Sequence, residues 1–216
     1  PVIYRGLGAC IFNETLTRCT LNDPRVVRAL ELVYKWTYED HLVPSLADQQ
    51  SLSTDAGYGG STLQLFNSGN YATFSMGRYA LIQLRQFGQL ELAVCEPPHA
   101  GFPNTSTGTR AAAVYVGGKH KEGARYFLAY LASEDYNMNI VEDADALPPN
   151  PTYTQTEAFL RPAQYTNEWG CHEAFANAAE DIAIATPSSP FVSDAVTARL
   201  TRGAMERHMA DRATAG

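Results

Sequence analysis

Cys171, His172 and Glu173 stand in a row, a thiol, an imidazole and a carboxylate, the parts from which a nucleophile and its base are built. Adjacent residues on a helix point in different directions, so the three do not meet as a working set. Elsewhere the chain has no nucleophile elbow, no phosphate-cradling glycine loop and no zinc-binding helix motif. His99 and His120 fall on a loop and at a helix start, where solvation explains them. A small hydrolase is therefore the weakest functional reading, and the chain is read as non-catalytic, with no cofactor and no metal. The four cysteines lack the close spacing of a metal site. Cys10 and Cys19 flank a turn-like Asn13-Glu14-Thr15, and that hairpin-like spacing predicts a disulfide between them. The pairing of Cys95 and Cys171 stays open.

Residue types suited to binding rather than chemistry are more frequent. At Gly108-Thr109-Arg110, backbone amides, a hydroxyl and a guanidinium fork could hold hydroxyls, a carboxylate or a phosphate. That triplet precedes an apolar run, where strand ends line ligand clefts in open α/β sheets. A surface loop with a charged cap explains it equally well. Gly77-Arg78-Tyr79 ends one apolar run and precedes a helical one, which packing by itself does not require. Its bland reading is a core tyrosine beside a solvated arginine. Gly6-Leu7-Gly8-Ala9 offers a tight turn, as glycine does everywhere.

The elements that must position these residues follow from pattern. At 216 residues, 45% hydrophobic and 18% charged, the chain is long and apolar enough to bury a core. A net charge of −7 argues against a nucleic-acid partner or an anionic membrane surface. No apolar run approaches a membrane span. The chain opens on Pro1 with neither an initiator methionine nor a signal sequence, which reads as a piece of something longer. Asn22-Asp23-Pro24 starts a helix whose stripe is Val26, Leu30, Val33 and Thr37. A long loop spans 41–60, and helices are predicted over 61–67, 78–87, 154–160, 168–181 and 191–209. Another helix carries Ala124, Phe127, Leu128 and Leu131 on one face, and Ser133 caps the next, to about 142. Strands are predicted at 71–76, 90–95 and 111–116, the last buried on both faces. Strands alternating with helices make the class α/β.

In this order the pieces resemble the C-terminal half of an extracellular solute-binding protein of a carbohydrate ABC importer, of the maltose or oligosaccharide-binding type. The likeness rests on five stretches. Asn22 to Leu30 resembles that family's helix opening. Phe66, Gly69 and Ala72 match its F-x-x-G-x-x-A step. Met76-Gly77-Arg78-Tyr79 stands where the family has glycine, a variable residue and an aromatic. Lys119 to Leu128 is similar to its S-K-N-K-E-A-A-W-x-F-L helix, and Ser133-Glu134-Asp135 and Leu147-Pro148-Pro149 complete the set. The family's chain is nearly twice as long, and Arg110 stands where a small residue is common.

The resemblance implies a type II periplasmic-binding-protein-like fold. Residues 1–108 and 167–216 would form the second lobe, and 109–166 a hinge-crossing segment contributing to the first. It implies a sugar or sugar-like solute in an interlobe cleft, delivered to the membrane subunits of an ABC permease. Tyr79 would stack on a sugar ring, with Gly77 letting the backbone come close and Arg78 supplying a fork. Gly8, Gly108, Thr109, Arg110, Phe191 and Asp194 would line the same cleft, although a helix staple and a first-turn acid also explain the last two. Two arginines at the cleft would suit an anionic solute. Location would be periplasmic or extracellular, with lipid anchoring through a preceding segment as one form of it. The stripe around Phe127 would lack its first-lobe cover, which implies self-association of the chain. A non-catalytic protein-interaction module is the alternative.

Overall fold

The computed structural model describes residues 1–51, 60–109 and 111–214. Its helices begin with α1 (Val2–Gly6), α2 (Pro24–Tyr34), which runs on into a π-turn at Lys35–Glu39, α3 (Leu46–Ser51) and α4 (Gly60–Asn67). Next come α5 (Ala80–Leu84) with a 3-10 turn at Arg85–Phe87, strand β1 (Thr105–Thr107), α6 (Lys121–Leu131) and α7 (Glu134–Asp143). The remainder is α8 (Glu157–Leu160), α9 (Cys171–Asp181), β2 (Ala183–Ala185) and α10 (Asp194–Thr214), with 3-10 turns at Pro151–Gln155 and Thr166–Glu168. Among the described residues no helix is long and apolar enough to cross a membrane.

The chain divides into two compact units. One comprises Pro1–Ser53, Pro97–Thr107 and Ala183–Gly216; the other comprises Thr54–Glu96 and Gly108–Ile182. Residues 60–96 thus group with 111–182. In the first unit, α2 starts where its caps dictate. The Asp23 carboxylate accepts from the Arg25 amide at 2.8 Å, and Pro24 occupies the first turn. The Arg25 side chain and amide both bond that carboxylate, which holds Asp23 down at about 2. Val26 and Ala29 are buried against Tyr4, Ala9 and Ile11, with Met205 of α10 packed on the same cluster. β1 and β2 pair in parallel, Ser106 opposite Ile184.

The second unit is helical. Leu63 of α4 packs with Ala80, Leu81 and Leu84 of α5 and with Ala144, just past α7. Ser133 caps α7 by accepting from the Tyr136 amide at 3.3 Å.

Three expected strands are corrected. Residues 71–76 and 90–95 form no strand among the described residues. They are held by side chains instead: Phe74, Met76, Leu90 and Leu92 pack on the Leu63 cluster, and the Leu90 carbonyl accepts from Asn167 at 2.7 Å. Residues 111–116 form no strand either. Tyr115 is 76% and Val116 82% exposed, so the run expected to be buried on both faces is buried on neither. Apolar composition marks a segment able to be covered, but a strand also needs a neighbour for its amides and carbonyls. The sheet forms instead from Thr-Ser-Thr and Ala-Ile-Ala, too short to leave a periodic signal.

Candidate solute site and the buried arginine network

Gly77-Arg78-Tyr79 sits at the entry to α5, in the second unit. A side chain at Gly77 would meet the Tyr79 ring, with Cε1 only 2.8 Å from the position of its Cβ. The glycine is thus accounted for by the tyrosine folding back over it, and Tyr79 stays half-buried. Arg78 is 3% exposed and turns inward. Its Nε donates to His172 Nδ1 at 3.0 Å, Nη1 to the carbonyls of Ile140 and Ala146 at 3.0 and 2.6 Å, and Nη2 to that of Val141 at 2.7 Å. The guanidinium also lies 4.6 Å from the centre of the Phe159 ring. Its partners are carbonyls of the last turn of α7, together with one beyond the left-handed Ala144, where the chain reverses. The arginine expected to face a ligand therefore holds a helix end.

Seven residues on, the 3-10 turn aims Arg85 the same way. Its Nε and Nη2 grip both oxygens of Glu168 at 2.8 and 2.9 Å, and Nη1 donates to the Glu142 carbonyl at 2.9 Å. The guanidinium stacks on Tyr165 at 3.7 Å. An arginine Nε always donates, so His172 Nδ1 is an acceptor and the imidazole proton sits on Nε2. That Nε2 lies 3.0 Å from Glu168 Oε2 but off the line of a good hydrogen bond, a close polar contact rather than an aligned one. Burial pushes Glu168 up, but His172 and the Arg85 bonds outweigh it and hold the carboxyl below its usual range. Burial pulls Arg78 down to about 10, helped by the Arg85 charge, and it stays cationic at neutral pH.

This geometry disposes of the catalytic reading of Cys171-His172-Glu173. His172 is fully buried and committed to Arg78 and Glu168, while Glu173 is exposed. Burial raises the Cys171 thiol, with the Glu168 charge adding to it, which keeps it protonated and a poor nucleophile. Among the described residues no cluster of His, Cys, Asp or Glu could hold a metal ion. An open depression of about 650 Å³ is lined by Arg85 of the network together with Ile82, Ile140, Asp143 and Tyr165.

The other expected site residues are scattered. Gly108 and Thr109 follow β1 and are exposed, with nothing within 4 Å of where a Gly108 side chain would start. Arg110 lies outside the described residues. In the first unit, Gly8 has φ +77° and its missing side chain would meet the Phe102 ring at 2.7 Å, so the close approach is to the protein's own aromatic. Phe191 is 74% exposed and Asp194 opens α10, also exposed. Cys10 and Cys19 are free, exposed thiols, so the expected disulfide is not formed here. The hairpin register explains it. Phe12 pairs with Cys19 and the Thr20 amide donates to the Ile11 carbonyl, which leaves Cys10 two residues out of register. Such diagonal neighbours stand roughly 7–8 Å apart, beyond the reach of an unstrained bond. Sequence reasoning missed Arg85, Glu168 and the role of His172. The seven-residue spacing of two arginines on one helical face was the available signal.

The sequence profile of the bacterial extracellular solute-binding proteins matches residues 11–168. No curated protein matches the chain. No solved structure matches it either.

Proposed function

Because the chain belongs to the bacterial extracellular solute-binding proteins, we propose that it binds a sugar or sugar-like solute and hands it to a membrane permease of the ABC type. The family match over residues 11–168 carries this reading. Proteins of this family are extracellular solute receptors for ABC importers and are generally non-enzymatic. The buried, protonated Cys171 and the committed His172 agree with that. A periplasmic or extracellular setting and the lobe assignment belong to the same proposal.

The carbohydrate class rests on the resemblance at Gly77-Arg78-Tyr79. With Arg78 turned inward, the half-buried Tyr79 is the residue of that turn left to offer an aromatic face to a sugar ring. Thermal shift of the 216-residue chain against a panel of neutral and acidic sugars tests it, with stabilisation by at least one sugar expected. Turnover of a glycoside or ester without any stabilising solute would overturn the receptor reading. Self-association is part of the proposal because α6 buries no residue while Phe127 is 60% and Tyr130 42% exposed. Sedimentation at micromolar concentration measures it, and a Phe127→Ser variant is expected to shift the chain toward monomer.

A further inference from the structure

The depression of about 650 Å³ in the second unit has the size of a small-molecule site, and two helices supply most of its lining. Ile82, Arg85 and Gln86 come from α5 and its 3-10 turn at helical spacing, and Ile140 and Asp143 stand three apart on α7. Arg85 is held there by the network but not used up by it. A guanidinium carries five N–H donors, and three of them go to Glu168 and the Glu142 carbonyl. Two are left without an acceptor among the described residues, on a side chain only 11% exposed.

Asp143 supplies the opposite chemistry. It is exposed in the last turn of α7, where the helix dipole disfavours a carboxylate, so the needs of the helix do not explain it. Gln86 adds an exposed amide, and Ile82, Ile140 and Tyr165 make the rest apolar or aromatic. The charge balance then selects the ligand. Glu168 already matches Arg85 at 2.8 and 2.9 Å, so the depression offers N–H donors without an uncompensated positive charge. An anion would meet the carboxylates of Asp143 and Asp145 on the lining. An ammonium would suit Asp143 but would set donors against the Arg85 donors. A hydroxyl accepts from Arg85 and donates to Asp143, so one kind of group serves both.

We propose that this depression binds a neutral polyhydroxylated ring, a hexose or one hexose unit of a longer sugar. Its hydroxyls bond Arg85, Asp143 and Gln86, and its C–H face lies on Ile82 and Ile140. The proposal rests on the receptor reading and deepens it, choosing neutral over acidic solutes and giving the second unit a contact apart from Tyr79.

Calorimetric titration of the 216-residue chain with glucose, galactose and mannose, each beside its uronate, tests it. At least one hexose is expected to bind tenfold or more tightly than its uronate. A uronate binding as tightly as its hexose, or glucosamine binding more tightly than glucose, would overturn the neutral class. Asp143→Asn keeps the shape and loses the charge, and is expected to weaken the hexose about tenfold. Ile82→Asp, at a position 38% exposed, is expected to abolish binding. Tyr79→Ala separates this site from the receptor reading. A hexose lost in Tyr79→Ala but bound unchanged by Asp143→Asn and Ile82→Asp would overturn the site and leave the receptor reading intact. Failure of all three hexoses to bind would also overturn the site, while stabilisation by another sugar would keep the receptor reading.

Discussion

Replacing Arg78 by alanine removes four hydrogen bonds at once and takes a donor from the Ile140 and Val141 carbonyls in the last turn of α7 and from the Ala146 carbonyl beyond it. It also frees the acceptor nitrogen of His172, which is fully buried. Each buried acceptor left unpaired costs about 1–3 kcal/mol, and the contributions overlap because water enters the space the side chain leaves. Breaking a buried charged network by deleting one member costs about 3–5 kcal/mol, which we take as the expected loss. For a chain of this size that corresponds to a melting temperature lower by about 6–20 °C. Arg78→Lys keeps the charge but offers one compact ammonium in place of a planar fork, and is expected to recover less than half of the loss. Urea unfolding followed by tryptophan fluorescence is the assay. Trp169 and Trp36 lie in different units, so each is read in a variant lacking the other. The loss should appear in the Trp169 signal. An Arg78→Ala cost below about 1 kcal/mol, or a lysine variant as stable as wild type, would refute the view that this arginine ties down α7.

The remaining predictions concern acid, backbone and thiols. Because Glu168 is held below its unfolded value, the unfolded chain binds the proton first; the stability it contributes is present above about 4.5 and is lost as pH falls below that. Glu168→Gln should flatten the acid limb of a pH–stability curve, and an unchanged limb would count against the network. Gly8→Ala imposes a side chain at φ +77° against Phe102 and should cost about 1–2 kcal/mol or more, whereas Gly69→Ala, at a similar φ with open space, should cost only the backbone part. Equal melting temperatures for the two variants would be the contrary result. Alkylation before reduction should label both Cys10 and Cys19. An intact-mass spectrum showing label on neither would restore the disulfide.

Local signals decided local structure in this chain. Asp23 and Ser133 announced the starts of α2 and α7, because a cap needs only an oxygen and an amide two or three residues away. Of the stripe from Val26 to Thr37, Val26 and Thr37 are buried and Leu30 and Val33 half-buried, and the five short stretches that carried the family resemblance are likewise contiguous in sequence. Partners distant in sequence were a different matter. Arg78 reads as a loop arginine until Ile140, Val141 and His172, 62 to 94 positions away, arrive around it. Nothing in the periodicity near 78 encodes that choice, since burial of a charge depends on acceptors supplied by other elements. The same holds for 90–95, whose alternation is genuine but which found side chains rather than a strand beside it. It holds for Cys10 and Cys19 too, whose spacing fitted a hairpin but not its register. Composition and spacing fix what a segment can do; only packing supplies the second half of each bond, which is why Arg5, identical in type to Arg78 and Arg85, was left as the one buried arginine among the described residues with neither a carboxylate nor a carbonyl for a partner.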